Sequence, residues 1–161
     1  LTHCINRPEA MMLAFAWDTW PGCFPSSFSR VMERASAPVL DNPDFRITAW
    51  PTRHFIPTIG LRIENKRTGK VLAYSCDTEP IPALIDLARD ADMLIHEAAG
   101  AGEGHSSAAQ AGEIATRAGA KALYLIHYQV WNTDPTPLIA EAQQTYAGPI
   151  YLAKDFDQYA F

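Results

Sequence analysis

Five side chains of metal-ligating type stand at or just past the ends of apolar runs in this chain. His3 follows Leu1-Thr2, His54 lies just beyond Phe45–Trp50, and Asp77 closes Val71–Cys76; His96 follows Met93–Ile95 and His127 follows Ala122–Ile126. Neutral imidazole and carboxylate together suit a borderline cation such as zinc. Taken singly, each histidine is an ordinary hydrogen-bonded residue at a strand end, and Asp77 is an ordinary turn or helix cap. The joint pattern is what points to chemistry, because residues that end successive parallel strands gather at one rim of a sheet. Two further groups can reach that rim. Glu97 closes the strand that carries His96, and Gly104-His105-Ser106 precedes a helix. Glu97 and His105 can pair so that one imidazole tautomer is held for proton transfer. Ser106 reads as the cap of the following helix.

The elements that must position these residues follow from the pattern. Pro8-Glu9-Ala10 opens a helix with Met11, Met12, Phe15 and Trp20 as its apolar surface, ended by Pro21-Gly22. Residues 21–44 read as a loop-rich connection with a short helix around Ser29–Arg34. Phe45–Trp50 and Ile59–Glu64 alternate apolar and polar residues; with Val71–Ser75, entered through Lys66-Arg67-Thr68-Gly69-Lys70, they form an antiparallel meander. The second half alternates: helix 82–89, strand 93–96, helix 106–118 closed by Gly119, strand 122–127, helix 138–146 and strand 150–153.

At 161 residues and 48% hydrophobic, the chain supports a single core, and 1–161 reads as one domain. A net charge of -5 argues against a broad nucleic-acid-binding surface, though not against a local basic patch. Cys4, Cys23 and Cys76 are odd in number and lack CxxC spacing, which argues against a disulfide framework or zinc ribbon and fits a reducing, cytoplasmic setting. No apolar run is long enough to span a bilayer, so no membrane partner is expected. Leu1-Thr2-His3 reads as the end of a strand with no partner before it, so the domain is expected to be cut on its N-terminal side.

The segment from Phe45 to Gly100, followed by Gly104–Tyr128, resembles the metallo-β-lactamase superfamily in order and spacing, and within it the ribonuclease Z-like branch. The resemblance implies an α/β fold, the αββα sandwich of that superfamily, here lacking its N-terminal strands. It implies metal ligands at His54, Asp77 and His127, with His3 as a fourth, and proton transfer by His105 and Glu97 beside the catalytic carboxylate Asp77. Departures accompany the matches. Cys76 stands where the family usually has Gly, and Ala99 and Ser107 stand at positions of Thr. The signature His-x-His-x-Asp-His falls on His3-Cys4-Ile5-Asn6-Arg7-Pro8, where only the first histidine survives. The resemblance therefore implies a reduced site with one zinc rather than two, manganese or iron staying open, and with the Arg7 guanidinium standing in for a second metal's charge. The implied activity is metal-dependent hydrolysis of a phosphodiester, either a small molecule or a nucleic acid. The alternative is a metal-poor binding or dimerisation domain. An exposed sheet edge makes a homodimer the expected assembly.

Overall fold

The computed structural model describes residues 36–160, so the expectations for His3, Arg7 and the helix from Pro8 lie outside the described residues. Seven strands form one sheet in chain order: β1 (Ala37–Asp41), β2 (Phe45–Pro51), β3 (Ile59–Asn65), β4 (Val71–Tyr74), β5 (Met93–Glu97), β6 (Leu123–Ile126) and β7 (Ile150–Leu152). The first four run antiparallel and the last four run parallel. The meander and the alternating second half thus occur as their patterns predict. Three helices make the parallel crossovers: α1 (Ala83–Leu87), α2 (Ala108–Ala118) and α3 (Pro137–Gln143).

Strand β1 falls within a segment whose prolines read as loop. Pro38 and the register shift between Pro38 and Leu40 are features that an edge strand tolerates and a central one does not. The cap of α2 is also displaced by one residue from the sequence expectation. Ser107 accepts from Gln110 N–H, and the Gln110 side chain accepts from Ser107 N–H, closing a capping box. Ser106 is instead fully buried, and its hydroxyl donates to Thr78 O at 2.6 Å.

The helices pack on one face of the sheet. Leu84 and Leu87 of α1 and Ile114 of α2 join Ala73, Leu94, Leu123 and Leu125 in a single buried cluster. α2 meets its neighbours through small residues. At Gly112 an added Cβ would lie 2.6 Å from Ala142 O, which explains how α2 and α3 come so close.

Because side chains alternate across a strand, the register defines the opposite face as well. One row runs Ala49, Leu61, Tyr74, Ile95, Tyr124, Tyr151, and a parallel row runs Ile47, Ile63, Leu72, Met93. This second face is apolar from one side of the sheet to the other. Among the described residues it meets no helix, although Tyr159 returns to it, its ring 4.8 Å from that of Tyr124.

Candidate functional site

All the candidate residues within the described region except His96 lie at one rim of the sheet. β2 runs parallel to β4, β5 and β6, so the loops after these four strands leave from the same edge. His54 lies after β2, Asp77 after β4, Glu97 ends β5 and His127 follows β6. Two of the turns are made by residues in the left-handed region, Cys76 at φ 56° and His127 at φ 54°. That conformation favours glycine and costs about 1–2 kcal/mol for a residue bearing a Cβ. It supplies a physical reason for the glycine that the family resemblance implies at the Cys76 position.

Glu97 is the hub. It is fully buried, and its Oε1 accepts from Thr78 N–H at 3.1 Å, Ser106 N–H at 2.9 Å and His105 Nδ1 at 3.2 Å, while Oε2 accepts from Ala99 N–H at 2.8 Å. Its own N–H donates to Ser75 Oγ at 3.1 Å. One carboxylate therefore ties the loop after β4, the turn after β5 and the entrance to α2. Four donors on a carboxylate compensate its removal from water. Since the carboxylate accepts, the proton of a neutral His105 sits on Nδ1 and leaves Nε2 as the basic atom.

His54 is oriented in a similar way. Its Nδ1–H donates to Gly104 O at 2.8 Å, which leaves Nε2 unbonded among the described residues; a backbone carbonyl behind the ring commonly orients ligating histidines in this way. The imidazoles then form a row. The His54 and His105 rings are 4.8 Å apart, and those of His105 and His127 are 5.5 Å apart and stacked. His127 Nε2 lies 3.7 Å from Asp77 Oδ2. The donors suit zinc in their chemistry, yet among the described residues no group of three or more His, Cys, Asp or Glu is placed to hold a metal ion. The set is thus a histidine row with one carboxylate at its end, and any closed centre needs ligands from elsewhere.

His96 does not belong to this rim. The pleat sends adjacent residues to opposite faces, so with Glu97 on the second face His96 faces the helices, in the row of Leu125 and Leu152. It is fully buried, its Nδ1–H donates to Glu97 O at 2.8 Å, and its Nε2 has no partner. Burial holds its pKa below the ordinary histidine value.

Sequence reasoning missed Glu79 and Thr58. Glu79 Oε1 accepts from Gly104 N–H at 3.1 Å, its Oε2 lies 3.4 Å from Arg53 Nη1, and its own N–H donates to Arg53 O. It thereby braces the loop that carries His54 against the loop that carries His105. Thr58 Oγ1 donates to Asp77 O at 3.3 Å. Neither sits at the end of an apolar run, so spacing gave no signal for them.

The family model of the β-lactamase superfamily domain matches residues 26–128, well over half of the chain. The chain belongs to the β-lactamase superfamily. This superfamily member is 39% identical over 98 residues to a ribonuclease Z of Myxococcus xanthus, covering 55% of this chain and 32% of that protein. It is 34% identical over 116 residues to a ribonuclease Z of Archaeoglobus fulgidus, covering 66% of this chain and 37% of that protein. The chain therefore spans about a third of the length of these curated relatives. Among solved structures it is similar to the metallo-β-lactamase fold protein YhfI of Bacillus subtilis, with a TM-score of 0.65 and 28% identity over 73% of this chain and 49% of the other. It is also similar to the short form of human tRNase Z, with a TM-score of 0.59 and 26% identity over 78% of this chain and 47% of the other. Both likenesses agree with a metallo-β-lactamase fold built on this mixed sheet.

Proposed function

We propose that this chain carries the proton-transfer half of a ribonuclease Z-like, metal-dependent phosphodiesterase. The observation that carries the proposal is the Glu97–His105 pair set beside His54 and His127 at one rim. The similarity to ribonucleases Z supports a phosphodiester as the bond attacked, and RNA as one source of it.

By the family resemblance His54, Asp77 and His127 would donate to zinc, with His3 as a further donor and one ion rather than two; as they stand among the described residues they form no three-ligand group, so binding would have to draw them together. Bound there, the metal would supply Lewis-acid polarisation of a phosphoryl oxygen and a more acidic water. The chain's own residues do the rest. Glu97 fixes the His105 ring and its tautomer, so that Nε2 can take a proton from an attacking oxygen or return one to a leaving oxygen. Gly104 O fixes the His54 ring, and the two carboxylate oxygens of Glu79 tie together the loops bearing both histidines.

The test uses elemental analysis together with hydrolysis of bis(p-nitrophenyl) phosphate. His105→Ala is expected to lower kcat by about 10²–10⁴-fold with bound zinc unchanged. His54→Ala is expected to lose zinc and activity together. A zinc-loaded protein whose hydrolysis is untouched by His105→Ala overturns the role of the pair.

The apolar second face favours another reading, in which the chain is an assembly domain descended from such a hydrolase. A stable, metal-free homodimer without hydrolytic activity would select that reading.

A further inference from the structure

The row of imidazoles has an exposed aromatic side chain on either side of it. Phe55 is 65% exposed beside His54, its ring 5.1 Å from that of His54 and 6.1 Å from that of His105. Four residues beyond His127, Trp131 is 81% exposed, next to Val130 at 60%. Isolated apolar residues on a surface are ordinary. Trp131 differs because it shares a recess with a rim residue: Ala99, His127, Tyr128, Gln129, Val130 and Trp131 line an open surface recess of about 240 Å³. That is below the roughly 300–1,000 Å³ of pockets that take whole drug-sized ligands, and it is suited to one flat ring system.

The walls match such a ring. Val130 and Trp131 are apolar, and Tyr128 contributes only its ring, because its hydroxyl donates to Ala153 O at 2.7 Å. Gln129 is exposed and offers an amide that both donates and accepts, the group pattern that reads the edge of a base. The loop is shaped by its own hydrogen bonds. Asn132 adopts φ 52°, Thr133 Oγ1 donates to Trp131 O at 3.1 Å, and Asp134 Oδ1 accepts from Thr136 N–H at 3.0 Å. Trp131 is thus presented by the turn without being drawn into the core.

We propose that Trp131 is a stacking platform for a nucleobase, with Gln129 at the base edge, and that it seats the nucleotide next to the phosphodiester delivered to His127. This assignment rests on the phosphodiesterase reading for its biological meaning, but the base-binding step itself requires no turnover.

The experiment titrates the full chain with adenosine 5′-monophosphate and with ribose 5-phosphate by calorimetry, for the wild type, Trp131→Ala and Trp131→Phe. The nucleotide is expected to bind more tightly than the sugar phosphate. Trp131→Ala should weaken nucleotide binding by roughly 5- to 150-fold, the range for loss of one base stack, and leave sugar-phosphate binding unchanged. Trp131→Phe should restore most of the affinity. Equal binding of the two probes, or nucleotide binding unaffected by Trp131→Ala, overturns the platform. Loss of both probes' binding in Trp131→Ala and Trp131→Phe alike marks a loop-folding role and likewise overturns it. If base binding behaves as expected while no phosphodiester is cleaved, only the phosphodiesterase reading falls.

Discussion

Gly104 shows how little freedom the rim has. Its φ is +77°, and a Cβ built there would lie 2.8 Å from His54 Nδ1 and 3.0 Å from the Phe55 ring. Gly104→Ala therefore strains the backbone and pushes the His54 ring off its carbonyl in one step. The expected outcome is a loss of zinc affinity of about 10- to 100-fold, the usual cost of removing an outer-shell partner, read by competition with a chelator. His96 gives a second residue-scale prediction. Burial lowers its pKa in the folded chain below the ordinary 6.5, so the unfolded chain binds the proton more readily. By linkage, its contribution is intact above pH 6.5 and is lost as pH falls below that value, with a slope of at most about 1.4 kcal/mol per pH unit. Melting temperatures measured from neutral pH down toward 4.5 should show this slope, and His96→Asn, which keeps a side-chain donor, should flatten it.

At the scale of elements, Asp92 pins the start of the parallel sheet. Its side chain is only 9% exposed, and its carboxylate meets Lys121 Nζ at 2.8 Å, Lys70 Nζ at 3.0 Å and Val71 N–H at 2.9 Å. One group thereby clasps the entrances of β4, β5 and β6. The Lys121 ammonium foremost, with Val71 N–H and Lys70, holds the Asp92 carboxyl well below the usual carboxylate range even though burial opposes this. Asp92→Asn is expected to cost about 1.5–3 kcal/mol in urea denaturation near neutral pH, the size of charge-assisted hydrogen bonds. Since the folded pKa is depressed, this contribution fades as pH drops below 3.8, a window separate from that of His96. Asp41, by contrast, meets Arg46 and Lys66 with side chains half or more exposed on the Asp41 and Arg46 side, and solvent screening leaves such pairs little to contribute. Asp41→Asn is therefore expected to leave the denaturation midpoint nearly unchanged, which makes it the control.

For the whole molecule, the governing feature is a sheet with one face packed by helices and one apolar face that meets no helix among the described residues. The residues of that face are half-buried, apart from buried Ala49 and Met93 and exposed Tyr151, and a half-buried apolar face of this extent is a candidate interface. Sedimentation should show a mass that rises with concentration, and Ile95→Lys, at the centre of the longer row, should shift the population toward monomer. A mass that stays monomeric at every concentration in the unaltered chain would remove the face as an interface. Much of this architecture was legible in the sequence. Period-2 alternation marks β2 and β3, apolar runs bounded by turn residues mark β4, β5 and β6, and helical patterns between them impose parallel crossovers. Residue types and strand-end positions also pick out His54, Asp77, Glu97, His105 and His127, because local pattern determines where a strand stops and what chemical group stands there. Other features depended on register and packing. The pleat alone decides that Glu97 serves the rim while His96, its neighbour, enters the core. Loop-to-loop hydrogen bonding decides that Ser107 caps α2 while Ser106 bonds Thr78, and that Glu79 braces the loops bearing His54 and His105. Such choices link residues far apart in the chain, so local sequence determined the elements and their chemical groups, and only the tertiary structure decided which groups meet.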